Sequence, residues 1–331
     1  MNRVYKTWTA LAAAGFLLIA GGCGGNPSST SAVESANTVS TEAVESANTV
    51  PTEAAEEITA AAFADESNTD ESDTAETKAE PVSLVVELDP GHGGAQSGAV
   101  RAENGVLEKT LNLKIAQYLK EELERYDNVT VYLTREDDEK VELEDRVKKA
   151  AQDGADVFIS LHNNAEGDIT AYKNGCTVLV PRGVYEEELS LESQELAVCI
   201  LQELEELGIE NQGLMFRVAQ NGAVYPNGEL LDYYSVVRNA VLYQMPGILI
   251  EHSFMDHDSD YEKFLSDDEK LKALAAADAR GIAAYYGLSK DGICESRKET
   301  PYEEKITLIT TDHHQDNEYF TKTFFEETFL K

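Results

Sequence analysis

Two histidines and two glutamates stand at the expected ends of strands and helices, and they are the residue types of a catalytic metal site. His92 follows an apolar strand in "VVELDPGHGG", and His162 ends another in "DVFISLH". Glu108 opens the helix after the glycine loop, and Glu251 ends the strand "PGILIE". Two histidines and a glutamate are ligands of catalytic zinc sites that keep a fourth position for water. The pattern therefore predicts a zinc site at His92, Glu108 and His162. Glu251, which reaches the same rim, is the candidate general base.

Each of these residues alone has an ordinary structural explanation. A histidine at a strand end is more often a hydrogen-bonded structural residue than a ligand. The helix dipole favours a glutamate such as Glu108 at a helix N-terminus, and Glu251 alone is a strand-end carboxylate facing water. Only the occurrence of all four at element ends on one side of a sheet favours the functional interpretation. Gly91, Gly93 and Gly94 would let the backbone turn sharply and a substrate approach closely.

The elements that must position these residues alternate along the chain from Pro81. The expected strands are "SLVVELD", "NVTVYLT", "DVFISLH", "CTVLVP" and "GILIEHSF". The expected helices are "LEKTLNLKIAQYLKEELERY", "ELEDRVKKAAQDG" closed by Gly154, "LESQELAVCILQELEELG" and "KLKALAAADARGIAAYYG". This alternation predicts an α/β fold, a three-layer α/β/α arrangement with a mostly parallel central sheet. Ligands of such sheets bind beyond the carboxyl ends of the strands, where the candidate residues stand.

Composition narrows the class of protein. The chain has 331 residues, 42% of them hydrophobic, which suits one main core. Its 62 acidic residues against 27 basic ones give a net charge of -35, so nucleic acid is excluded as an expected partner. The four cysteines are too few for a disulfide framework, and Cys176 and Cys199 are interpreted as small core residues.

The first residues have the order of a secretory signal peptide. Arg3 and Lys6 precede the apolar run "LAAAGFLLIA", and the small residues of "GGC" follow. An anchoring transmembrane helix is the alternative, but the run is shorter than the ~20 residues that cross a bilayer. The end of the run resembles the lipobox of bacterial lipoproteins, with Ala20 where leucine is usual. The resemblance implies that Cys23 is lipidated and that the exported protein is anchored to the outer face of the cytoplasmic membrane.

An acidic segment rich in Ser, Thr, Ala and Glu follows Cys23. It contains a repeat, since "AVESANTVSTE" returns as "AVESANTVPTE", and it has too few apolar residues to form a core. We expect a disordered N-terminal tether. The expected organisation is a signal peptide at 1–22, the tether at 23–80, a catalytic domain at 81–288 and a C-terminal extension at 289–331.

Five motifs in this order resemble the zinc-dependent N-acetylmuramoyl-L-alanine amidases of the type 3 family, which are bacterial and phage cell-wall hydrolases. They are "LDPGHGG", "GVLEKTLNLKIA", "VYLTRED", "DVFISLHNNA" and "PGILIEHSFMDHDSD", and the resemblance covers about residues 83–287. It implies that His92, Glu108 and His162 bind Zn²⁺ and that Glu251 is the catalytic glutamate.

The reaction implied by the resemblance is hydrolysis of the amide between the lactyl group of N-acetylmuramic acid and the L-alanine of the stem peptide. Peptidoglycan is the expected partner, zinc the expected cofactor, and a monomer the expected state. Two alternatives remain open: a zinc peptidase that cuts within the stem peptide, and a non-catalytic wall-binding lipoprotein. The latter would be expected to lose a ligand or Glu251.

The chain departs from the family pattern around the catalytic glutamate. Thr177 in "NGCTVLV" stands where relatives often have glutamate, and "HSFMDHDSD" replaces the usual small residue, Gly-Phe and Asn-containing turn. His252 and His257 are interpreted as non-ligands that contact substrate, because a strand neighbour of Glu251 points to the opposite face.

Two further sets of polar residues have a structural interpretation. Arg135, Arg146 and Arg238 are interpreted as structural partners of carboxylates. The adjacent pair His313 and His314 is assigned to a polar tail, because neighbouring residues on a strand diverge.

Overall fold

The structure is a computed structural model that describes residues 83–166, 173–296, 306–309 and 318–320. Cys23, the expected signal peptide and tether, and the pair His313 and His314 lie outside the described residues. Within these ranges the strands are β1 (Leu84–Pro90), β2 (Val129–Leu133), β3 (Val157–Asn164), β4 (Cys176–Leu179), β5 (Asn211–Arg217), β6 (Gly247–Phe254), β7 (Ser289–Lys290), β8 (Ile293–Cys294), β9 (Ile306–Ile309) and β10 (Glu318–Phe320). The helices are α1 (Glu108–Leu123), α2 (Leu143–Asp153), α3 (Glu187–Glu206), α4 (Ser235–Leu242), the single turn α5 (Asp258–Asp260), which continues as a π-helical turn (Tyr261–Leu265), and α6 (Asp268–Tyr286).

Eight of these strands form one sheet in the order β10-β9-β5-β4-β6-β3-β1-β2. All neighbouring pairs are parallel except β4 with β6 and β9 with β10. The central strands β1, β3 and β6 are almost continuously buried, as expected when helices cover both faces of a parallel sheet. The prediction of a mostly parallel α/β sheet is confirmed.

Helices cover both faces of this sheet. The larger core lies between the sheet and α1, α3 and α6, and a smaller core lies between the opposite face and α2 and α4. This is the predicted three-layer arrangement. Helix α2 ends at Gly154, whose φ of 70° is the left-handed conformation that stops a helix, so the predicted C-terminus is confirmed.

Four elements extend or cover the sheet without having been predicted. Strand β5 and helix α4 lie between α3 and β6, and β9 pairs with β5 in parallel. Strand β9 comes from the segment expected to be a C-terminal extension, and β10 pairs with it as the last strand of the sheet.

Among the described helices, none combines the length and the apolar composition that a membrane span requires.

Candidate metal centre and active site

The three predicted ligands meet at the carboxyl ends of the central strands. His92 lies just beyond β1, Glu108 is the first residue of α1, and His162 lies near the end of β3. The Nε2 atom of His92 is 3.1 Å from Oε2 of Glu108, and Nδ1 of His162 is 3.0 Å from Oε1 of the same carboxylate. One ligand atom from each residue lies within 4.8 Å of the other two. The two nitrogens and the carboxylate therefore converge on one point.

This spacing fits a zinc ion. Zinc binds nitrogen and oxygen at ~2.0–2.2 Å in tetrahedral sites, which places neighbouring ligand atoms roughly 3.4 Å apart. The side chains of His92 and His162 are 13% and 17% exposed, whereas Glu108 is 3% exposed. A buried carboxylate behind two partly open imidazoles leaves one side of the site accessible, as catalytic zinc sites require.

Several donors hold the Glu108 carboxylate in place. Asn112 Nδ2 and the backbone N–H of Asn163 donate to Oε1 at 3.2 and 3.3 Å, and the N–H of Ala99 donates to Oε2 at 2.9 Å. The Asn163 amide also donates to Oδ1 of Asn112 at 2.9 Å. Sequence reasoning missed both asparagines. Asn112 carries a signal, because it stands four residues after Glu108 and so lies on the same helix face.

The loop between β1 and α1 packs closely against His162 and Glu108. His92 has a φ of 62°, which few residues other than glycine adopt. A Cβ atom on Gly91 would lie 2.2 Å from the ring of His162, and one on Gly98 would lie 2.4 Å from Oε2 of Glu108. The room at Gly91 was expected for a substrate. It is instead filled by the His162 ring, so that expectation is wrong.

Glu251 lies beside His162 on the neighbouring strand. The two residues are register partners in the parallel β3–β6 pair, so their side chains project from the same face of the sheet. Thr177, which replaces the family's usual glutamate, is the partner of Glu251 on β4 and donates its hydroxyl to the carbonyl of Gly213 at 2.8 Å. The Oε2 atom of Glu251 is buried and has no hydrogen-bond partner among the described residues.

The surroundings of Glu108, His162 and Glu251 shift their pKa values in different directions. Burial would raise the pKa of Glu108, but hydrogen bonds from His162 and His92 outweigh it and hold the pKa below its usual range. Burial lowers the pKa of His162, and the Glu108 carboxylate opposes this. Burial, followed by the charge of Glu108, raises the pKa of Glu251 well above its usual value. The anionic form of Glu108 is thus favoured, while Glu251 is the more basic of the two carboxylates.

Neither additional histidine belongs to the cluster. His252 points to the opposite face from Glu251, as predicted, and is fully buried. It therefore cannot contact substrate, and that part of the interpretation is wrong. Its Nε2 lies 2.9 Å from Oδ2 of Asp278 and its Nδ1 lies 2.9 Å from the His162 carbonyl oxygen. His257 accepts from the N–H of Asp260 at 3.3 Å.

The other sequence interpretations hold in part. Cys176 and Cys199 are buried, as predicted for core residues. Arg146 pairs with the Asp89 carboxylate, but Arg135 and Arg238 donate to backbone carbonyls and not to carboxylates.

Comparison with known proteins shows the family of this chain. The family Amidase_3, N-acetylmuramoyl-L-alanine amidase, matches residues 86–284. The endolysin of Bacillus phage SPP1 is 30% identical over 237 residues, covering 71% of this chain and 79% of the endolysin. The N-acetylmuramoyl-L-alanine amidase CwlM of Bacillus licheniformis is 31% identical over 211 residues, covering 62% of this chain and 69% of CwlM.

A solved structure agrees. The N-acetylmuramoyl-L-alanine amidase from Clostridium difficile 630 superposes with a TM-score of 0.51 at 26% identity, over 61% of this chain and 96% of that one. The family match spans well over half of the chain and includes all four predicted site residues. The chain belongs to the N-acetylmuramoyl-L-alanine amidase family, whose members are hydrolases of amide bonds.

Proposed function

We propose that this protein is a zinc-dependent N-acetylmuramoyl-L-alanine amidase that releases the stem peptide from N-acetylmuramic acid in peptidoglycan. One observation carries the proposal. Two imidazole nitrogens and a carboxylate converge within 4.8 Å, beside Glu251 on the neighbouring strand, whose buried Oε2 has no hydrogen-bond partner within the described ranges. A metal site beside an unengaged carboxylate is the arrangement that metal-assisted hydrolysis needs.

His92, Glu108 and His162 would hold the zinc. When bound, zinc supplies Lewis acidity toward the amide carbonyl and the attacking water. Glu108 contributes a negative charge that Asn112 and Asn163 keep oriented. These two amides prevent the carboxylate from turning away from the histidines, as outer partners of metal ligands usually do.

Glu251 would move the proton. Its Oε2 atom accepts a proton from the attacking water and then donates it to the nitrogen of the leaving L-alanine. A pKa raised by burial suits this role, because it makes the Glu251 carboxylate a stronger base toward the proton of the attacking water. The parallel pairing with β3 fixes the distance between Glu251 and the ligand His162.

Digestion of purified peptidoglycan tests the reaction. The expected product is a free stem peptide that begins with L-alanine, together with glycan that has lost its peptides, as identified by mass spectrometry. A chelator should abolish the release, and added zinc should restore it. Cleavage inside the stem peptide would instead identify a peptidase, and binding without any cleavage would identify a non-catalytic wall-binding protein.

Replacement of Glu251 by glutamine separates the base from the ligands. Glutamine keeps the size of the side chain but cannot accept the proton, so kcat should fall by roughly 10²- to 10⁴-fold while zinc content and fold are retained. Elemental analysis and peptide release measure the two quantities. Loss of zinc would make Glu251 a ligand, and unchanged kcat would place the base elsewhere.

We further propose that export and lipidation at Cys23 place this domain at the outer face of the cytoplasmic membrane, facing the wall. The order of basic, apolar and small residues before Cys23 supports this. The protein should partition into detergent with membranes, and Cys23→Ser should release it or leave the precursor uncut. Unchanged membrane association of Cys23→Ser would indicate an ordinary anchor helix.

A further inference from the structure

Two buried arginines surround the loop that carries His92. Arg135 follows strand β2 and Arg146 lies in helix α2, and each residue is 1% exposed. They are the largest fully buried side chains among the described residues. Within the described residues, neither guanidinium donates to the side chain of His92, Glu108 or His162, and both donate to backbone carbonyls of the loop.

Arg146 donates hydrogen bonds to both ends of the turn between β1 and His92. Its Nη1 donates to Oδ1 of Asp89 at 2.5 Å and to the carbonyl of Pro90 at 3.0 Å. Its Nη2 donates to the carbonyl of His92 itself at 2.8 Å. Asp89 is in turn fixed by the hydroxyls of Thr134 at 2.6 Å and Ser160 at 2.7 Å. The guanidinium is thus anchored to the sheet on one side and to the His92 peptide on the other.

Arg135 holds the same turn from the opposite direction. Its Nε donates to the Pro90 carbonyl at 2.9 Å, and its Nη2 donates to the carbonyl of Gly91 at 3.0 Å. The same Nη2 also donates to the carbonyl of Lys109 at 2.8 Å, which ties the loop to the start of α1. The carbonyls of three consecutive residues, at 90, 91 and 92, therefore all accept from these two arginines.

Stability alone does not account for this arrangement. Two guanidiniums that cannot lose their charge lie buried and donate to one shared carbonyl oxygen, that of Pro90. The buried carboxylate of Asp89 pairs with Arg146, whereas Arg135 donates to backbone carbonyls. Burying two positive charges close together is unfavourable, and a protein with apolar side chains of the same volume in their place is often at least as stable toward unfolding. What the guanidiniums provide, and an apolar core would not, is a set of directed donors.

The turn needs such donors because few other bonds reach its carbonyls. The N–H of Gly91 donates to the Leu161 carbonyl at 3.0 Å, and Asn112 Nδ2 donates to the Gly91 carbonyl at a longer 3.3 Å. His92 lies outside the strand ladder, and its left-handed φ of 62° is uncommon for a residue with a side chain. The three carbonyls bound by the arginines belong to the peptide groups 90–91, 91–92 and 92–93. The hydrogen bonds therefore fix the orientation of these three peptide planes. Those planes determine where Nε2 of His92 lies relative to Glu108.

We propose that Arg135 and Arg146 are positioning residues that hold the 90–92 carbonyls, fix Nε2 of His92 at the metal position and so set the zinc affinity. The inference rests on the proposed zinc function. It assigns to these arginines the role that outer partners of metal ligands have elsewhere, whose loss lowers affinity by roughly 10- to 100-fold.

The test compares Arg146→Met, Arg146→Lys and a matched control, Arg182→Met. Arg182 is also a largely buried arginine that pairs with a carboxylate, Asp232, and donates to a loop carbonyl, that of Leu230, but it makes no contact with the 90–92 turn. Zinc dissociation constants are measured by competition with a chromophoric chelator. Arg146→Met should bind zinc roughly 10- to 100-fold more weakly, whereas Arg182→Met should stay within about 3-fold of the wild type.

The lysine variant separates charge from geometry. Lysine at 146 keeps a cation beside Asp89 but cannot span Asp89, Pro90 and His92 as the guanidinium fork does. Arg146→Lys should recover much of the thermal stability that Arg146→Met loses, yet keep the weakened zinc affinity. Wild-type zinc affinity in Arg146→Lys would overturn the proposal, and this variant carries the test if Arg146→Met does not fold.

A metal-free measurement distinguishes failure of this inference from failure of the proposed function. Amide hydrogen exchange of the segment 88–98 in the zinc-free protein should speed up in Arg146→Met and not in Arg182→Met. If the wild type binds no zinc, the proposed function fails, and the exchange rates still decide whether the arginines hold the loop. Unchanged exchange and unchanged zinc affinity in Arg146→Met would overturn the inference.

Discussion

The two histidines of the site are held in different ways. His162 lies in strand β3, where it pairs with Glu251 of β6, and the pairing of β3 with β1 reaches Leu161, one residue before it. His92 lies in a turn beyond the end of β1, with a left-handed backbone, and its neighbouring carbonyls are bound by buried arginines. A strand positions a ligand through its own pairing. A loop reaches the same precision only when side chains from elsewhere satisfy its backbone.

The two parts of the site also differ in the buried side chains that support their backbone. We call His162 with strand β3 the strand half, and His92 with the turn at 90–92 the loop half. In the strand half, the fully buried pair of His252 and Asp278 contacts one backbone carbonyl, that of His162. In the loop half, Arg135 and Arg146 donate hydrogen bonds to three consecutive backbone carbonyls, at 90, 91 and 92. The strand half should therefore tolerate loss of its support with little change at the metal, whereas the loop half should not.

The largest effect is expected where the two halves touch. Gly91→Ala would place a Cβ atom 2.2 Å from Cε1 and Nε2 of His162, closer than real atoms approach. The backbone of the turn or the His162 ring must move, so zinc content and stem-peptide release should both be lost although no ligand has changed. Elemental analysis and the muropeptide assay measure this.

A glycine in open space is the control for that substitution. Gly222 has a φ of 73° and no atom within 4 Å of an added Cβ, so Gly222→Ala introduces backbone strain without a clash. It should lose about 1 kcal/mol of stability and keep its zinc. If Gly91→Ala bound zinc as well as the wild type, the turn at Gly91 would be packed less tightly against the His162 ring than the distance of 2.2 Å implies.

The second effect tests the strand half. Asp278→Ala removes the partner of His252 Nε2 inside the core, and breaking a buried pair of this kind costs about 3 kcal/mol of unfolding free energy. Zinc affinity should change by less than about 3-fold, because the pairing with Glu251 of β6 still holds His162. Chemical denaturation and chelator competition measure the two quantities.

Helix α6 offers a matched control for Asp278. Glu269 is 85% exposed, so Glu269→Ala should change the unfolding free energy by no more than about 0.5 kcal/mol. If Asp278→Ala weakened zinc binding as strongly as Arg146→Met, the proposed contrast between strand and loop would be wrong.

The sequence predicted the strand half better than the loop half. Strand β6 begins and ends at the predicted residues, Gly247 and Phe254, because an apolar run between a proline and a polar turn is a local signal. The clustering of His92, Glu108 and His162 could be predicted because these residues stand at or near such ends. The arginine contacts could not, since they join β2 and α2 to a turn more than 40 residues away in sequence.

The missed elements share a weak local signal. Strand β5, "NQGLMFR", contains a glycine and alternates poorly, and helix α4, "SVVRNAVL", is short and rich in β-branched residues. The antiparallel placement of β4 against β6 and the addition of β9 beside β5 are long-range pairings. Such pairings are decided by packing between distant segments, which a single sequence does not reveal.

Strand β1 carries two buried carboxylates, Glu87 and Asp89, which lie on one face of the sheet and differ in the direction of their pKa shift. Burial would raise the pKa of Asp89, but Arg146, Thr134 and Ser160 outweigh it and lower that pKa. At Glu87 burial prevails over Lys149 and raises the pKa to about 7. The carboxylate under the His92 turn is thus a fixed anion, while the one nearer the start of the strand titrates near neutral pH.

The smallest predicted effect follows from Glu87. Because its pKa is about 7 in the folded chain against 4.5 ordinarily, the folded state binds the proton more tightly. The resulting stabilisation is fully present below pH 4.5 and is lost as the pH rises through 7, which amounts to about 2 kcal/mol between pH 5 and pH 8. Glu87→Gln is uncharged at every pH, so relative to the wild type it should gain stability over that interval, as measured by denaturation at each pH. Zinc affinity should be unchanged, because Glu87 contacts Lys149 and not the His92 turn. A constant difference between the two proteins from pH 5 to pH 8 would mean that Glu87 titrates outside this range, with Lys149 holding it ionised as Arg146 holds Asp89.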